Sequence, residues 1–430
     1  MRYHPADPRL FVNNRSRLVG LLQNSSIALL HSNDVLPTNA DGTMPWKQNA
    51  DLYYLSGIDQ EETMLLMFPD ALEQKDQEIL FIRKTSEHLA IWEGAKLSKQ
   101  QASALSGIKN VQWVDELDNT LHRLMQQAEH IYLNRNEHPR ADTSVETRDA
   151  RLLKQYQEKY PLHKYERLAP LMHRLRIIKD KEEIRMIQKA CDITREGFMR
   201  SLKFIKPGVG EWEVQAEYIH EFIRLQSNGF AYTPIVASGS NSCILHYIQN
   251  NRRCADGELL LMDVGAEYGN WNSDMTRTVP VNGQYNQRQR QVYDAVLRVM
   301  RQCNEMLRPG ITPKQYQTQS IELVEGELIQ LGLISAKEAK QQDQNKALVK
   351  QYFMHGTSHH LGLDVHDVCP QNEPFAEGMV MTIEPGIYIP GEEIGIRLEN
   401  NVVIGKDANI DLMVDIPIEA EEIEGLMSQN

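Results

Sequence analysis

The stretch that decides the fold is Leu259-Leu260-Leu261-Met262-Asp263-Val264, answered by Ser273-Asp274-Met275-Thr276-Arg277-Thr278-Val279. Both runs read as buried strands, and Tyr268-Gly269-Asn270 between them is turn chemistry. The pair predicts an antiparallel hairpin with Asp263 and Asp274 facing each other across it. Directly opposed residues hold their Cβ atoms roughly 4.5–5.5 Å apart. Two carboxylates that close repel unless a cation sits between them.

Further along, Val380-Met381-Thr382-Ile383-Glu384 runs into Pro390-Gly391, and Ile394-Gly395-Ile396-Arg397-Leu398-Glu399 returns. The same reasoning places Glu384 opposite Glu399. Two acidic pairs in apolar settings point to metal rather than accident. Ahead of the second hairpin, Met354-His355-Gly356-Thr357-Ser358-His359-His360-Leu361-Gly362-Leu363-Asp364-Val365-His366-Asp367 packs four histidines into a dozen residues. A further histidine, His246, precedes the first hairpin; read alone it is a surface or core histidine. His355 and His359 are four apart, but no Glu follows His355, so this is not the helical H-E-x-x-H zinc motif.

Four ionised carboxylates balance two divalent cations, and His359 adds a neutral nitrogen ligand. Such a cage leaves a bridging water able to lose a proton at neutral pH. Oxygen-rich ligation suits manganese and tolerates zinc, cobalt or ferrous iron. The residues therefore read as a two-metal hydrolase. Structural calcium or salt bridges are the competing reading of the carboxylates, against which the imidazole counts.

At 430 residues the chain has room for two or three domains. Its net charge of -13 argues against nucleic acid as a partner, since binding phosphates needs a Lys and Arg excess. No apolar run approaches the ~20 residues of a membrane span. Met1 to Asn14 is polar, so no secretory leader is expected. Five scattered cysteines without a C-x-x-C suit reduced thiols in a cytoplasm.

The first 165 or so residues read as a small α/β unit, with strands at Ser26–His31, Met64–Pro69, Glu78–Arg83 and His130–Asn134. Helical patterns lie between them at Gln101–Ser106 and Asp115–Glu129, and polar sequence from Gln155 to Ala169 marks a boundary. Lys179–Ile205 is a strongly amphipathic helix with acids in its first turn. A weak internal repeat follows. Lys206-Pro207-Gly208 and Arg308-Pro309-Gly310 each lie between two helical patterns, and each copy leads to one acidic hairpin. A duplicated α/β half whose hairpins face one centre explains why the carboxylates come in pairs.

The ordered set of Asp263 through Asp274-x-Thr276-Arg277-Thr278, His355-Gly356-x-Ser358-His359, Thr382-Ile383-Glu384-Pro385-Gly386 and Ile396-Arg397-Leu398-Glu399 resembles the pita-bread metallopeptidases. Within them it is similar to aminopeptidase P, the Xaa-Pro aminopeptidases. Gln48-Asn49-x-Asp51-x-Tyr53-Tyr54-x-x-Gly57 and Ile91-Trp92-x-Gly94 resemble that family's creatinase-like N-terminal domain.

The resemblance implies an α/β (α+β) chain. A creatinase-like domain would span 1–170, and a pita-bread catalytic domain of pseudo-two-fold symmetry 171–430. It implies metal ligation by Asp263, Asp274, His359, Glu384 and Glu399, with Asp274 and Glu399 bridging two ions, manganese first among the candidates. A bridging hydroxide would attack the Xaa-Pro carbonyl, with Glu384 handling the water's proton. His246 and His366 would stabilise the intermediate or protonate the leaving nitrogen, His355 would line the proline pocket, and Arg397 would orient the carboxylates or form a plain ion pair. Peptide substrates and a homodimer or homotetramer are likewise implied. The chain departs from the family at His360, where an aromatic is common, at Cys369, where glycine is usual, and in a short loop between Glu384 and Glu399. Prolidase, which cuts Xaa-Pro dipeptides on the same scaffold, is the nearest rival; Ser358 leans away from it. Methionine aminopeptidase usually lacks so large an N-terminal domain, and creatinase works without metal. A binding protein that has lost catalysis would usually have lost ligands.

Overall fold

The computed structural model describes residues 2–141, 144–341, 348–370 and 372–429, and the chain separates into two compact units. The smaller comprises Pro5–Arg176 with Val368–Pro370; the larger comprises Met1–His4, Ile177–Asp367 and Gln371–Asn430. Among the described residues no helix is long and apolar enough to cross a membrane. Among the described residues no disulfide joins the cysteines.

The smaller unit is built on one mixed sheet of six strands: β1 (Ser26–His31), β2 (Met64–Met67), β3 (Glu78–Ile82), β4 (Asn110–Trp113), β5 (His130–Leu133) and β6 (Lys164–Arg167). Their order is β4-β3-β2-β1-β5-β6, with β1 parallel to β5 and antiparallel to β2. The central strands are buried on both faces, so they read as unbroken apolar runs. Ile27, Leu29, Met64, Leu66, Ile79 and Phe81 alternate onto one face, where Leu121, Leu124 and Tyr156 of two helices cover them. The edge strands β4 and β6 are Asn-Val-Gln-Trp and Lys-Tyr-Glu-Arg, only partly buried, and no apolar pattern marks them.

The larger unit repeats one motif. Helix Lys181–Phe204 begins at Asp180, whose carboxylate accepts from Glu182 N while Glu183 reaches back to Asp180 N. It turns at Pro207-Gly208 into helix Glu211–Arg224, and Gly208 sits at φ 91°. In the second copy, helix Gln287–Met306 turns at Pro309-Gly310 into helix Pro313–Gln330, and Gly310 sits at φ 92°. Each left-handed position suits glycine, which carries no Cβ penalty there. The duplication expected from the two Pro-Gly turns is present.

Each helix pair leads to antiparallel strands. The first half supplies β7 (Gly229–Phe230), β8 (Ile235–Ser238), β9 (Leu259–Val264), β10 (Ala266–Tyr268), β11 (Trp271–Asn272) and β12 (Met275–Pro280). The second supplies β13 (Val380–Ile383), β14 (Gly386–Ile389), β15 (Ile394–Arg397), β16 (Asn400–Val403) and β17 (Ile410–Asp411). Each half builds a three-stranded antiparallel sheet, β12-β9-β8 in the first and β13-β16-β17 in the second.

The register corrects one expectation. Glu267 pairs with Asn272 and Tyr268 with Trp271, so the turn is the two-residue Gly269-Asn270, with φ 60° and 71°. In that register Asp263 lies opposite Thr276, and Asp274 is its diagonal neighbour on the same face rather than its direct partner. Direct opposition needs the turn centred one residue pair earlier, between Tyr268 and Gly269. The second hairpin keeps the expected register: Ile383 pairs with Asn400 and Gly386 with Arg397. Both ladders extrapolate to Glu384 opposite Glu399.

Candidate metal centre

At Glu384 and Glu399 the second hairpin opens, and this opening makes the site. Pro385 follows Glu384 and cannot donate to a ladder. Glu384 N instead donates to Thr357 O (2.8 Å), and Glu399 N to Thr276 O of the first hairpin (3.1 Å). Thr276 and Glu399 thus form a bridge between the two halves. Buried Arg277 reinforces it, donating from Nη1 to Glu399 O (2.8 Å) and from Nη2 to Asn400 Oδ1 (2.7 Å). Asn401 accepts from Asp274 N (2.9 Å) and donates to Asp274 O (2.6 Å). The His-rich stretch lies along β13: Thr382 N donates to His359 O (2.9 Å), and Leu361 N to Val380 O (3.0 Å).

The side chains converge accordingly. Asp274, His359 and Glu399 each offer a ligand atom, and these atoms lie within 4.8 Å of one another. His359 Nε2 is 3.3 Å from Asp274 Oδ2 and 3.5 Å from Glu384 Oε1. Asp263 is tied to Asp274 through Tyr232, whose hydroxyl lies 2.6 Å from an oxygen of each. A phenol has a single proton, so it satisfies only one of those carboxylates. Arg397 Nη2 donates to Asp263 Oδ2 (2.6 Å), and its Nη1 donates to Tyr388 Oη (2.8 Å).

The electrostatics describe a cage short of positive charge. Burial pushes the Asp263 carboxyl up, and burial with the charge of Asp274 raises Glu399 well above its ordinary range. Burial likewise lifts Glu384 to about 7. Burial opposes a charge on His359, yet the hydrogen bond to Asp274 and the charge of Glu384 push its imidazole up to about 9. Glu399 Oε2 accepts from Thr276 Oγ1 (2.7 Å), while the buried Oε1 has no hydrogen-bond partner. An orphaned, buried carboxylate oxygen beside other carboxylates fits a cation. His359 Nδ1 sits 3.0 Å from His360 O, which sets Nε2 as the atom offered inward.

The other expected residues ring this centre. His366 stacks on His359 with ring centroids 4.1 Å apart and is itself exposed. His355 Nδ1 lies 2.8 Å from Gly356 O and its Nε2 2.8 Å from Tyr388 Oη. Burial, with Arg397 and nearby His246 adding to it, holds His355 down to about 4, hence neutral. The hydrogen bonds run one way: Arg397 donates to Tyr388, and Tyr388 to His355. His246 is exposed in a turn after the short helix Gly239–Cys243. Sequence reading missed Tyr232, Tyr388 and Asn401. Tyr232 lies outside any cluster of chemically suggestive residues, Asn401 follows Glu399 by two residues but is of a type that need not ligate, and Tyr388 looks like an ordinary strand residue.

A buried cage of carboxylates and one imidazole, set where two halves of a duplicated α/β fold meet, defines a metal-dependent hydrolase. Residues 185–406 match Metallopeptidase family M24, and residues 11–132 match Aminopeptidase P, N-terminal domain. The chain is 32% identical to the Xaa-Pro aminopeptidase of Escherichia coli (strain K12), over 97% of each. It is equally similar to the Xaa-Pro aminopeptidase of Haemophilus influenzae, at 32% identity over 97% of each. The solved structure of a Zn-substituted E. coli aminopeptidase P in complex with product matches with a TM-score of 0.86 at 31% identity, covering 99% of both chains. The chain belongs to metallopeptidase family M24 and is a divalent-metal hydrolase.

Proposed function

We propose that the chain is a Xaa-Pro aminopeptidase, releasing the N-terminal residue from peptides with proline in second position. Two divalent cations, manganese first among them, would be held by Asp263, Asp274, His359, Glu384 and Glu399. The observation that carries the reading is the Asp274–His359–Glu399 cluster with its buried, unbonded Glu399 oxygen. The preference for proline rests on likeness to the Xaa-Pro aminopeptidases.

When bound, such cations supply Lewis acidity toward the scissile carbonyl and a water acidified to neutral pH. The protein does the remaining work. Glu384, whose Oε1 lies 3.5 Å from His359 Nε2, would take the attacking water's proton on its carboxylate and return it. Arg397 orients Asp263 and, through Tyr388, holds His355 as a neutral ring with a fixed tautomer beside the proline pocket. His246 and His366 are exposed at the centre's edge, where they stabilise developing charge or protonate the leaving nitrogen. The scattered cysteines support a cytoplasmic enzyme, the family resemblance a homodimer or homotetramer, and residues 1–170, which carry no acidic or histidine cluster, would serve as a supporting or partner-binding domain.

Prolidase on this scaffold is the second reading. Manganese-loaded protein is tested on Ala-Pro-Ala and Ala-Pro side by side, with a chelated control. Cleavage of the tripeptide alone, abolished by chelation, is the expected result. Cleavage of the dipeptide alone establishes a prolidase instead, and silence on both refutes the peptidase reading.

A further inference from the structure

Helix Glu211–Arg224 opens with a carboxylate that is fully buried. Five donors converge on it. Oε1 accepts from Ser238 N (2.7 Å), Ser238 Oγ (2.8 Å) and Asn241 Nδ2 (3.3 Å). Oε2 accepts from Tyr247 Oη (2.7 Å) and Arg252 N (2.8 Å). All five come from one excursion of the chain, which leaves β8 at Ser238 and returns at Arg252. His246 is carried on that excursion. An amide could not serve here, because it accepts at one atom only and donates from the other.

The excursion has little freedom elsewhere. Tyr247 is buried with Ile235, Ala237, Leu261 and Tyr388, and Leu245 packs against the same cluster. His246 lies between these two anchored residues and is exposed. On the far side Gly395 N of β15 donates to Ser242 Oγ (2.9 Å), and a Cβ on Gly395 would come within 2.2 Å of Ser242 O. The loop is therefore clamped by Glu211 on one side and by the bare backbone of Gly395 on the other.

We infer that Glu211 is a positioning residue for His246: its carboxylate fixes the loop ends and the adjacent Tyr247, and so sets where the imidazole stands relative to the reacting atoms. The inference rests on the role proposed for His246. Glu211→Gln preserves shape but turns one acceptor into a donor facing Tyr247 Oη–H, Arg252 N–H or the Ser238 donors. Misplacement of about 1 Å by a residue remote from the chemistry costs on the order of a hundredfold in rate.

The test is a double-mutant cycle of Glu211→Gln and His246→Ala on manganese-loaded protein, reading kcat, KM for Ala-Pro-Ala and bound metal. Glu211→Gln is expected to lower kcat by about 10- to 100-fold with metal content and KM little changed. In the His246→Ala background the same substitution is expected to change kcat by less than about twofold, the mark of one shared effect. Equal losses in both backgrounds, or loss of metal, overturn the inference and leave the peptidase reading standing. An unaltered kcat in His246→Ala alone overturns the role of His246 and the inference with it. Should Glu211→Gln not fold, Tyr247→Phe removes a single donor to the same carboxylate, and its cycle with His246→Ala is read in the same way.

Discussion

Lys179 and Asp367 form an ion pair of 2.8 Å in which each side chain is 1% exposed. Asp367 ends the His-rich stretch, and its backbone N–H donates to His360 O, so the pair anchors the segment bearing His359 and His366. Gly362 lies so close that a Cβ there would meet Asp367 Oδ2 at 2.3 Å and Lys179 Cε at 3.0 Å, leaving no room for water. Lys179→Met would take this cation away from Asp367 and from nearby Glu183, a second buried acid that burial lifts to about 7 and that Lys179 partly offsets. Breaking one member of a buried pair costs about 3–5 kcal/mol, whereas replacing both with apolar groups is about neutral or stabilising. At about 2–4 °C per kcal/mol for a unit of this size, Lys179→Met should lower the catalytic unit's unfolding midpoint by roughly 6–20 °C. Lys179→Met/Asp367→Leu should recover most of that. Thermal unfolding of the two single variants and the double, followed by circular dichroism, reads the cycle. A single-variant cost below about 1 kcal/mol, or a double variant no better than the worse single, refutes the reasoning.

Three further outcomes follow from particular contacts. Asp274→Ala should strip the metal and abolish turnover while the far-ultraviolet spectrum survives; full activity would sink the ligand assignment. Gly265→Ala should cost at least about 1–3 kcal/mol, because a Cβ there would stand 1.8 Å from Ser273 O across the first hairpin, and it should loosen metal binding as well; a wild-type midpoint contradicts this. In the smaller unit, His31 is buried beside Tyr156, and burial with Arg148's charge pushes it down to about 3 from 6.5. Because its folded pKa is depressed, the unfolded chain binds more protons between those values. This contribution is complete above pH 6.5 and shrinks as pH falls, by about 2 kcal/mol at pH 5. His31→Phe should flatten that acid limb in urea titrations; an unchanged slope of stability against pH would count against it.

Much of this was legible because the features are local. The apolar runs of β9 and β13, turn chemistry within Tyr268-Gly269-Asn270 and the two Pro-Gly corners announce themselves within a few residues. The face shared by Asp263 and Asp274 followed from strand alternation, but their offset did not. It depends on which two residues make the turn, and a shift of half a residue in its centre moves the partner by one. Strands β4 and β6 were silent because an edge strand need not be apolar. Tyr232, Tyr388 and Glu211 were silent for a different reason: each acts through a contact distant in sequence, such as Glu211 with Arg252 or Tyr232 with Asp274. No spacing rule reaches that far.

The most direct test of the central claim is to strip the protein with chelator, titrate manganese back and measure Ala-Pro-Ala hydrolysis alongside bound metal. The account predicts no turnover in the stripped protein, with activity returning as the carboxylate cage fills and saturating at two ions per chain. Undiminished hydrolysis by metal-free protein would contradict it.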